Sequence, residues 1–306
     1  MGTRPGPRDW ALLLALTVMW GSAFLLTKVA VASLPPGWVV TGRLLLAAAL
    51  LLPLAAWRGE LRRIGRRSWA YLTLIAILGN VLPFWLITWG QRSIDSGLSG
   101  ILMAVMPLVV LALADRFVPG EHLTPRRLVG FTLGLAGVAV LLGPEAIQAQ
   151  PAAAGGATPG ALAAMLAVLG GAACYAVSAI LARLRPAQGA LPTAARVTLL
   201  AALMALPITA AVEGPLLRAP TWTETTAVAG LGVFSTATAA VVYFRLIASA
   251  GPSFAAQLNY LIPIWAVAMG ALFLGESPRL THLYGLALIL GGILIAATGT
   301  AVRRPP

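Results

Sequence analysis

Residues 96–137 read SGLSGILMAVMPLVVLALADRFVPGEHLTPRRLVGFTLGLAG, and residues 251–292 read GPSFAAQLNYLIPIWAVAMGALFLGESPRLTHLYGLALILGG. The two align with Pro107 opposite Pro263 and, after a one-residue gap, Glu121 opposite Glu276. From each Glu the next Gly of the pattern lies nine residues on (Gly130, Gly285), and another follows seven later (Gly137, Gly292). Agreement of Pro, Glu and two Gly over such a distance marks an internal repeat. Upstream the match is looser: Trp20-Gly21 falls opposite Tyr175-Ala176, and Lys28 opposite Arg183.

Hydropathy shows what each copy contains. The 306-residue chain is 59% hydrophobic and 10% charged, with a mean hydropathy of +0.89. Soluble domains carry roughly 25% charged residues, so this chain belongs in a bilayer, where one helical span takes about 20 apolar residues. Apolar stretches recur at 10–31, 37–57, 69–90, 96–114, 127–143, 160–182, 190–212, 222–244, 253–274 and 280–300. That makes ten spans, or nine if 222–244, rich in Thr and Gly, fails to cross. Residues 144–159 form a Pro/Gly/Ala linker. The expected division is a first five-helix repeat over 1–143, the linker, and a second repeat over 160–306. With an odd number of spans per copy, the second copy enters the membrane from the opposite side. The expected fold is an all-α integral membrane protein of ten transmembrane helices as two inverted five-helix repeats. Secondary transporters use this plan and bind substrate near mid-membrane between the halves.

The net charge of +12 fits membrane topology better than nucleic acid. With the N-terminus inside, fifteen arginines (4, 8, 58, 62, 63, 66, 67, 116, 126, 127, 183, 185, 245, 303 and 304) fall inside and three (92, 218 and 279) outside. Cytoplasmic loops are enriched in Lys and Arg, so both termini are expected in the cytoplasm. The arginine-dominated composition reads as that of a GC-rich bacterium, and the expected location is the inner membrane. Ala30-Val31-Ala32 has the form of a signal-peptidase site, but the apolar stretch before it is too long for a signal sequence and contains Lys28. The start MGTRPG lacks the Ser/Thr required for myristoylation. A lone cysteine, Cys174, leaves no internal disulfide and no cysteine-based metal centre.

MWGSAFLLTKVAV in the first span and TGRLLLAAALLLP in the second resemble the EamA-type branch of the drug/metabolite transporter superfamily. Pro107, Glu121, Gly130 and Gly137, with their second-half copies, are similar to that family's repeat ends. The resemblance covers nearly the whole chain. It implies a ten-helix carrier exporting small metabolites, with amino-acid exporters of the YddG type as one branch. The second half departs from the pattern, because Tyr175-Ala176 stands for Trp-Gly and Arg196 only roughly matches Arg43.

Pseudo-symmetry selects candidate substrate contacts, since a site between halves draws on equivalent positions. Trp20/Tyr175, Asn80/Thr236 and Met103/Asn259 are such pairs. Helical spacing adds Phe24 beside Trp20, Phe84 beside Asn80, Ser178 beside Tyr175 and Tyr243 beside Thr236. The expected cavity is aromatic, thioether and neutral hydrogen-bonding in character, suited to a small amphipathic molecule. Interhelical polar packing is the competing role for each residue. Lys28 and Arg43 match the family's basic positions, and charges within a bilayer are functional candidates. Both also lie within reach of the interface, where long basic side chains snorkel, and that is the role expected of them.

All nine acidic residues fall in loops or near span ends, so a mid-membrane proton relay has no obvious seat. There is no G-x4-GK[ST] loop for ATP. His122 and His282 read as ordinary surface residues. No cofactor or metal is expected. The partners expected are a small-molecule substrate, an amino acid or related metabolite, and the lipid bilayer, not nucleic acid. Two other functions compete with the exporter: a flippase for a lipid-linked or amphipathic substrate, which needs a lateral opening, and an intramembrane enzyme. The enzyme would need a base beside Ser178 or Cys174, and no His or Asp lies at that depth.

Overall fold

The computed structural model describes residues 5–117, 124–147, 160–184 and 189–297, and among these every regular element is a helix. Ten spans follow in order: α1 Pro7–Val31, α2 Pro36–Trp57, α3 Arg66–Gly90 and α4 Ser96–Phe117. Then come α5 Pro125–Ile147, α6 Ala161–Leu184, α7 Ala190–Glu213 and α8 Trp222–Ala250. The last two are α9 Leu258–Leu274 and α10 Leu280–Ala297. The first eight are apolar and long enough to cross a bilayer. At 17 residues, α9 rises only about 25 Å, and a one-turn helix, Pro252–Ala255, precedes it. The segment expected to be weakest, 222–244, lies in the longest span, at 29 residues. Most of the expected linker, together with Glu121, His122 and both extreme termini, lies outside the described residues.

Local chemistry sets the boundaries. Proline occupies the first turn of α1 and α2, where its missing N–H has no intrahelical partner to lose. Gly275 closes α9 in the left-handed region at φ 66°, which lets the chain turn without a Cβ clash.

The packing is that of an inverted repeat. α1 packs on α8 and α9, while its counterpart α6 packs on α3 and α4; α2 packs on α7 and α8, while α7 packs on α2 and α3. Where equivalent helices meet, they run antiparallel. A Cβ on Gly130 would strike the Gly292 carbonyl, and one on Gly137 would strike that of Gly285. A parallel relation would instead bring Gly130 to its own counterpart, Gly285. The repeated glycines thus let α5 and α10 approach backbone to backbone, the close packing that small residues permit in membranes. α2 and α7 obey the same rule: Gly37 N–H donates to Glu213 Oε1 at 2.9 Å, Trp38 Nε1–H to the Gly214 carbonyl at 3.1 Å, and the Thr41 and Thr209 hydroxyls lie 2.8 Å apart. Buried side chains form several separate patches rather than one core. Between them lies a cavity.

Candidate substrate cavity

The cavity occupies about 700 Å³ between the two halves. We call the side where α1 begins the N-terminal face and the other the far face. Nine of the ten neutral and aromatic positions expected from the sequence line it: Trp20, Phe24, Asn80, Phe84, Met103, Tyr175, Thr236, Tyr243 and Asn259. Equivalent positions recur around it, including Gly79 with Ser235, Thr88 with Phe244, Gly100 with Ala256 and Pro107 with Pro263. Aromatic pairs span the halves on both sides, Trp20 with Tyr243 (ring centroids 5.1 Å apart) and Phe84 with Tyr175 (6.3 Å).

Four expectations need correction. Ser178 is buried outside the lining, packed against the bare backbone of Gly79. It is one helical turn from Tyr175, but the two side chains diverge enough for one to face the void and the other α3. Arg43 does not snorkel. It lines the cavity, with Nε–H donating to Thr236 Oγ1 at 2.7 Å and its Cζ 3.7 Å from the Phe84 ring centroid. Lys28 neither snorkels nor lines the cavity. Its ammonium donates to the Gln91 and Ile94 carbonyls, both at 2.9 Å, where α3 ends. Free carbonyls at a helix C-terminus attract cations. His282, expected at the surface, is buried, and its Nδ1 accepts from the Arg279 N–H at 3.4 Å.

Two features escaped the sequence reading. In α3, residues Ile77–Val81 adopt a π-helix; in α8, Gly230–Thr238 do the same. These bulges hold the equivalent residues Asn80 and Thr236. A π-bulge inserts an extra residue into the turn and commonly marks a functional position. Thr236 Oγ1 donates to the Leu231 carbonyl at 2.7 Å, so its hydroxyl is oriented to accept from Arg43. Ser235 Oγ, in the same bulge, is buried and has no hydrogen-bond partner. The second feature is Arg183, exposed and lining the cavity. The repeat alignment had already paired it with Lys28, and that was the signal available.

The two ends of the cavity differ. At the far face, Gln91 is fully buried and its Nε2–H donates to the Phe24 carbonyl at 3.0 Å, which with Lys28 ties α1 to α3. Trp265 Nε1–H donates to Ser22 Oγ at 2.9 Å, tying α9 to α1. Glu276 accepts from the Ser96 N–H at 2.7 Å, the Gly97 N–H at 2.9 Å and the Ser96 hydroxyl at 3.0 Å. A carboxylate there satisfies unpaired donors at the start of α4. Toward the N-terminal face the equivalent positions are more open. Thr88 and Gly100 are buried, whereas Phe244 is half-buried and Ala256 exposed. The cavity therefore opens toward the N-terminal face. Among the described residues, no group of His, Cys, Asp or Glu is placed to hold a metal ion.

Ten helices in inverted halves around a central cavity define a membrane transporter architecture. The EamA-like transporter family model matches residues 9–143 and again 162–298, and the chain belongs to that family. It is 27% identical to the inner membrane transporter YedA of Escherichia coli K12 over 94% of this chain and 90% of that one. It is 27% identical to the transporter YvbV of Bacillus subtilis 168 over 98% and 95%. A probable terminal-alkyne amino-acid exporter of Streptantibioticus cattleyicolor is 26% identical over 96% and 95%. A crystal structure 19% identical in sequence superposes with a TM-score of 0.66 over 97% of this chain and 99% of that one, which shows a shared fold.

Proposed function

We propose that this transporter is a secondary exporter of amino acids or closely related metabolites in a bacterial inner membrane, working by alternating access. The observation that carries the reading is the cavity between inverted halves, sealed at one end and open at the other. Its lining of Trp20, Phe24, Tyr243, Met103, Asn80 and Asn259 pairs apolar faces with neutral hydrogen-bonding groups, as small amphipathic solutes require. The fifteen-to-three arginine asymmetry supports a cytoplasmic N-terminal face, and hence a cytoplasmic open end, where an exporter loads. In the cycle, the repeats at 1–143 and 160–306 rock against one another, joined by the linker at 144–159. The amino-acid exporter among the relatives supports the substrate class.

Counterflow in liposomes tests the reading. The purified protein should exchange at least one labelled amino acid from a panel, measured with and without a pH gradient. A reporter fused after Arg304 should be cytoplasmic. No exchange of any panel member by folded protein would remove the proposal.

A further inference from the structure

Arg43 is a long cation fixed inside the cavity by two contacts that leave most of its donors unused. The Thr236 hydroxyl holds Nε–H, and the Phe84 ring supports the guanidinium face. A guanidinium has five N–H donors in a planar fork, and among the described residues Nε–H is the donor engaged by protein. Among the described residues, the other basic group in the lining is Arg183, and no lining residue is Asp or Glu. Arg43 is therefore a cation without an acidic residue beside it in the described lining. Beside Arg43's anchor, the partnerless hydroxyl of Ser235 is a further donor held in the same bulge.

From this we infer that the α8 π-bulge and Arg43 together form a carboxylate seat, so that the substrate is an amphipathic monocarboxylate whose ammonium group is tolerated but not required. The inference rests on the transport reading above and narrows it. A planar fork meets a carboxylate with two parallel hydrogen bonds, a match that ammonium or neutral groups cannot reproduce. The Trp20–Tyr243 pair offers apolar surface for the rest of the molecule. A substrate ammonium finds no carboxylate in the lining, only the dipoles of groups such as Asn80 and Asn259. Recognition is thus loaded onto the acid end.

Three probes that share a phenyl group separate the possibilities: phenylalanine, 3-phenylpropionate, which lacks the amine, and phenethylamine, which lacks the acid. Binding is read on the purified protein by tryptophan fluorescence and thermal shift, and transport by counterflow against labelled phenylalanine. The acid without the amine should bind within about tenfold of phenylalanine, and the amine without the acid about 10- to 100-fold more weakly. Arg43→Gln should remove that preference, while Arg43→Lys, a charge without the fork, should recover part of it. Melting temperatures of both variants exclude misfolding, and the wild-type probe series needs no variant. Phenethylamine binding as tightly as the acids, neither acid binding, or Arg43→Gln binding them unchanged would each overturn the seat. Acids that bind but are not exchanged would instead remove the carrier reading and leave the seat standing.

Discussion

The two ends of the cavity are built from equivalent sequence and are in different states. At the far face, Lys28 reaches from α1 to the carbonyls that end α3. At the N-terminal face its counterpart Arg183 stands exposed at the cavity's edge, and the carbonyls equivalent to those of Gln91 and Ile94 belong to Ile247 and Ala250 at the end of α8. The ends differ in burial: Thr88 and Gly100 are covered at the far face, while their counterparts Phe244 and Ala256 are more open. On the alternating-access proposal, two-fold related halves also adopt the converse state, in which the far face is the open one.

Breaking the engaged end should have the largest effect. Lys28→Met leaves two carbonyls without their charged donor. Hydrogen bonds to charged groups contribute about 1.5–3 kcal/mol, so the balance between the two facing states should shift by roughly 100-fold. Thr88→Cys, in a background with the lone Cys174 replaced, reports it. A membrane-impermeant maleimide applied from the far side should label this buried position much faster in Lys28→Met. Equal labelling rates would mean that the lysine bonds do not hold that end shut.

The mirror test has a smaller expected effect and a different signature. Arg183 is the residue equivalent to Lys28 and lines the cavity toward the end that is open here. Arg183→Met should leave far-side labelling of Thr88→Cys at the unmodified rate, yet lower exchange by about tenfold. Unchanged exchange would sink the assignment of equivalent roles. Exchange lost together with a raised labelling rate would place Arg183 in general stability instead.

Much of this arrangement is legible in the sequence, and the exceptions have physical causes. The spans follow from hydropathy, and the inverted relation of the halves follows from the odd number of spans per copy; that the repeated glycines meet between α5 and α10 is seen only in the structure. Asn80 and Thr236 emerged as an equivalent pair from the offset alone. The bulges around them did not, because a single π-turn within a helix leaves the apolar pattern of the span intact and has no composition of its own. Lys28 and Arg43 look alike in sequence, each a basic residue several positions from a span end. Their fates differ because one points at a helix terminus with free carbonyls and the other at a hydroxyl oriented by a bulge. Ser178 shows the reverse error: helical spacing assigns a residue to a face, but the boundary of a cavity is drawn by neighbouring helices.

A third substitution separates the seal from mere stability at the same face. Glu276 caps the start of α4 with three hydrogen bonds, and α4 borders the cavity. Glu276→Ala leaves the Ser96 and Gly97 N–H groups without that acceptor and should destabilise the protein by about 1–2 kcal/mol. The measurement is thermal unfolding in detergent. Labelling of Thr88→Cys should change far less than in Lys28→Met, since α1 and α3 stay joined. A labelling increase as large as that in Lys28→Met would mean that α4, and not the α1–α3 tie, closes the end.

The smallest effect is expected where the far face is charged but no helix crosses the cavity. Arg218, in the loop between α7 and α8, pairs with Glu224 through two hydrogen bonds. Its side chain is 47% exposed, so water and salt screen the pair, and exposed ion pairs are worth little. Glu224 has partners of its own: its carboxylate accepts from the Thr221 N–H at 2.7 Å, and its N–H donates to the Thr221 hydroxyl at 3.3 Å. That reciprocal cap holds the start of α8 whether or not Arg218 is present. Arg218→Ala should therefore leave both labelling and exchange within about twofold of the unmodified protein. The Glu224 bonds are as short as those made by Lys28 but join a loop to the adjacent helix, and the one bond Arg218 sends to the first half, to the Ser33 carbonyl, is long at 3.4 Å and exposed. A large effect on exchange would show that the α7–α8 loop takes part in closing the far face, and the seal would then have to include it.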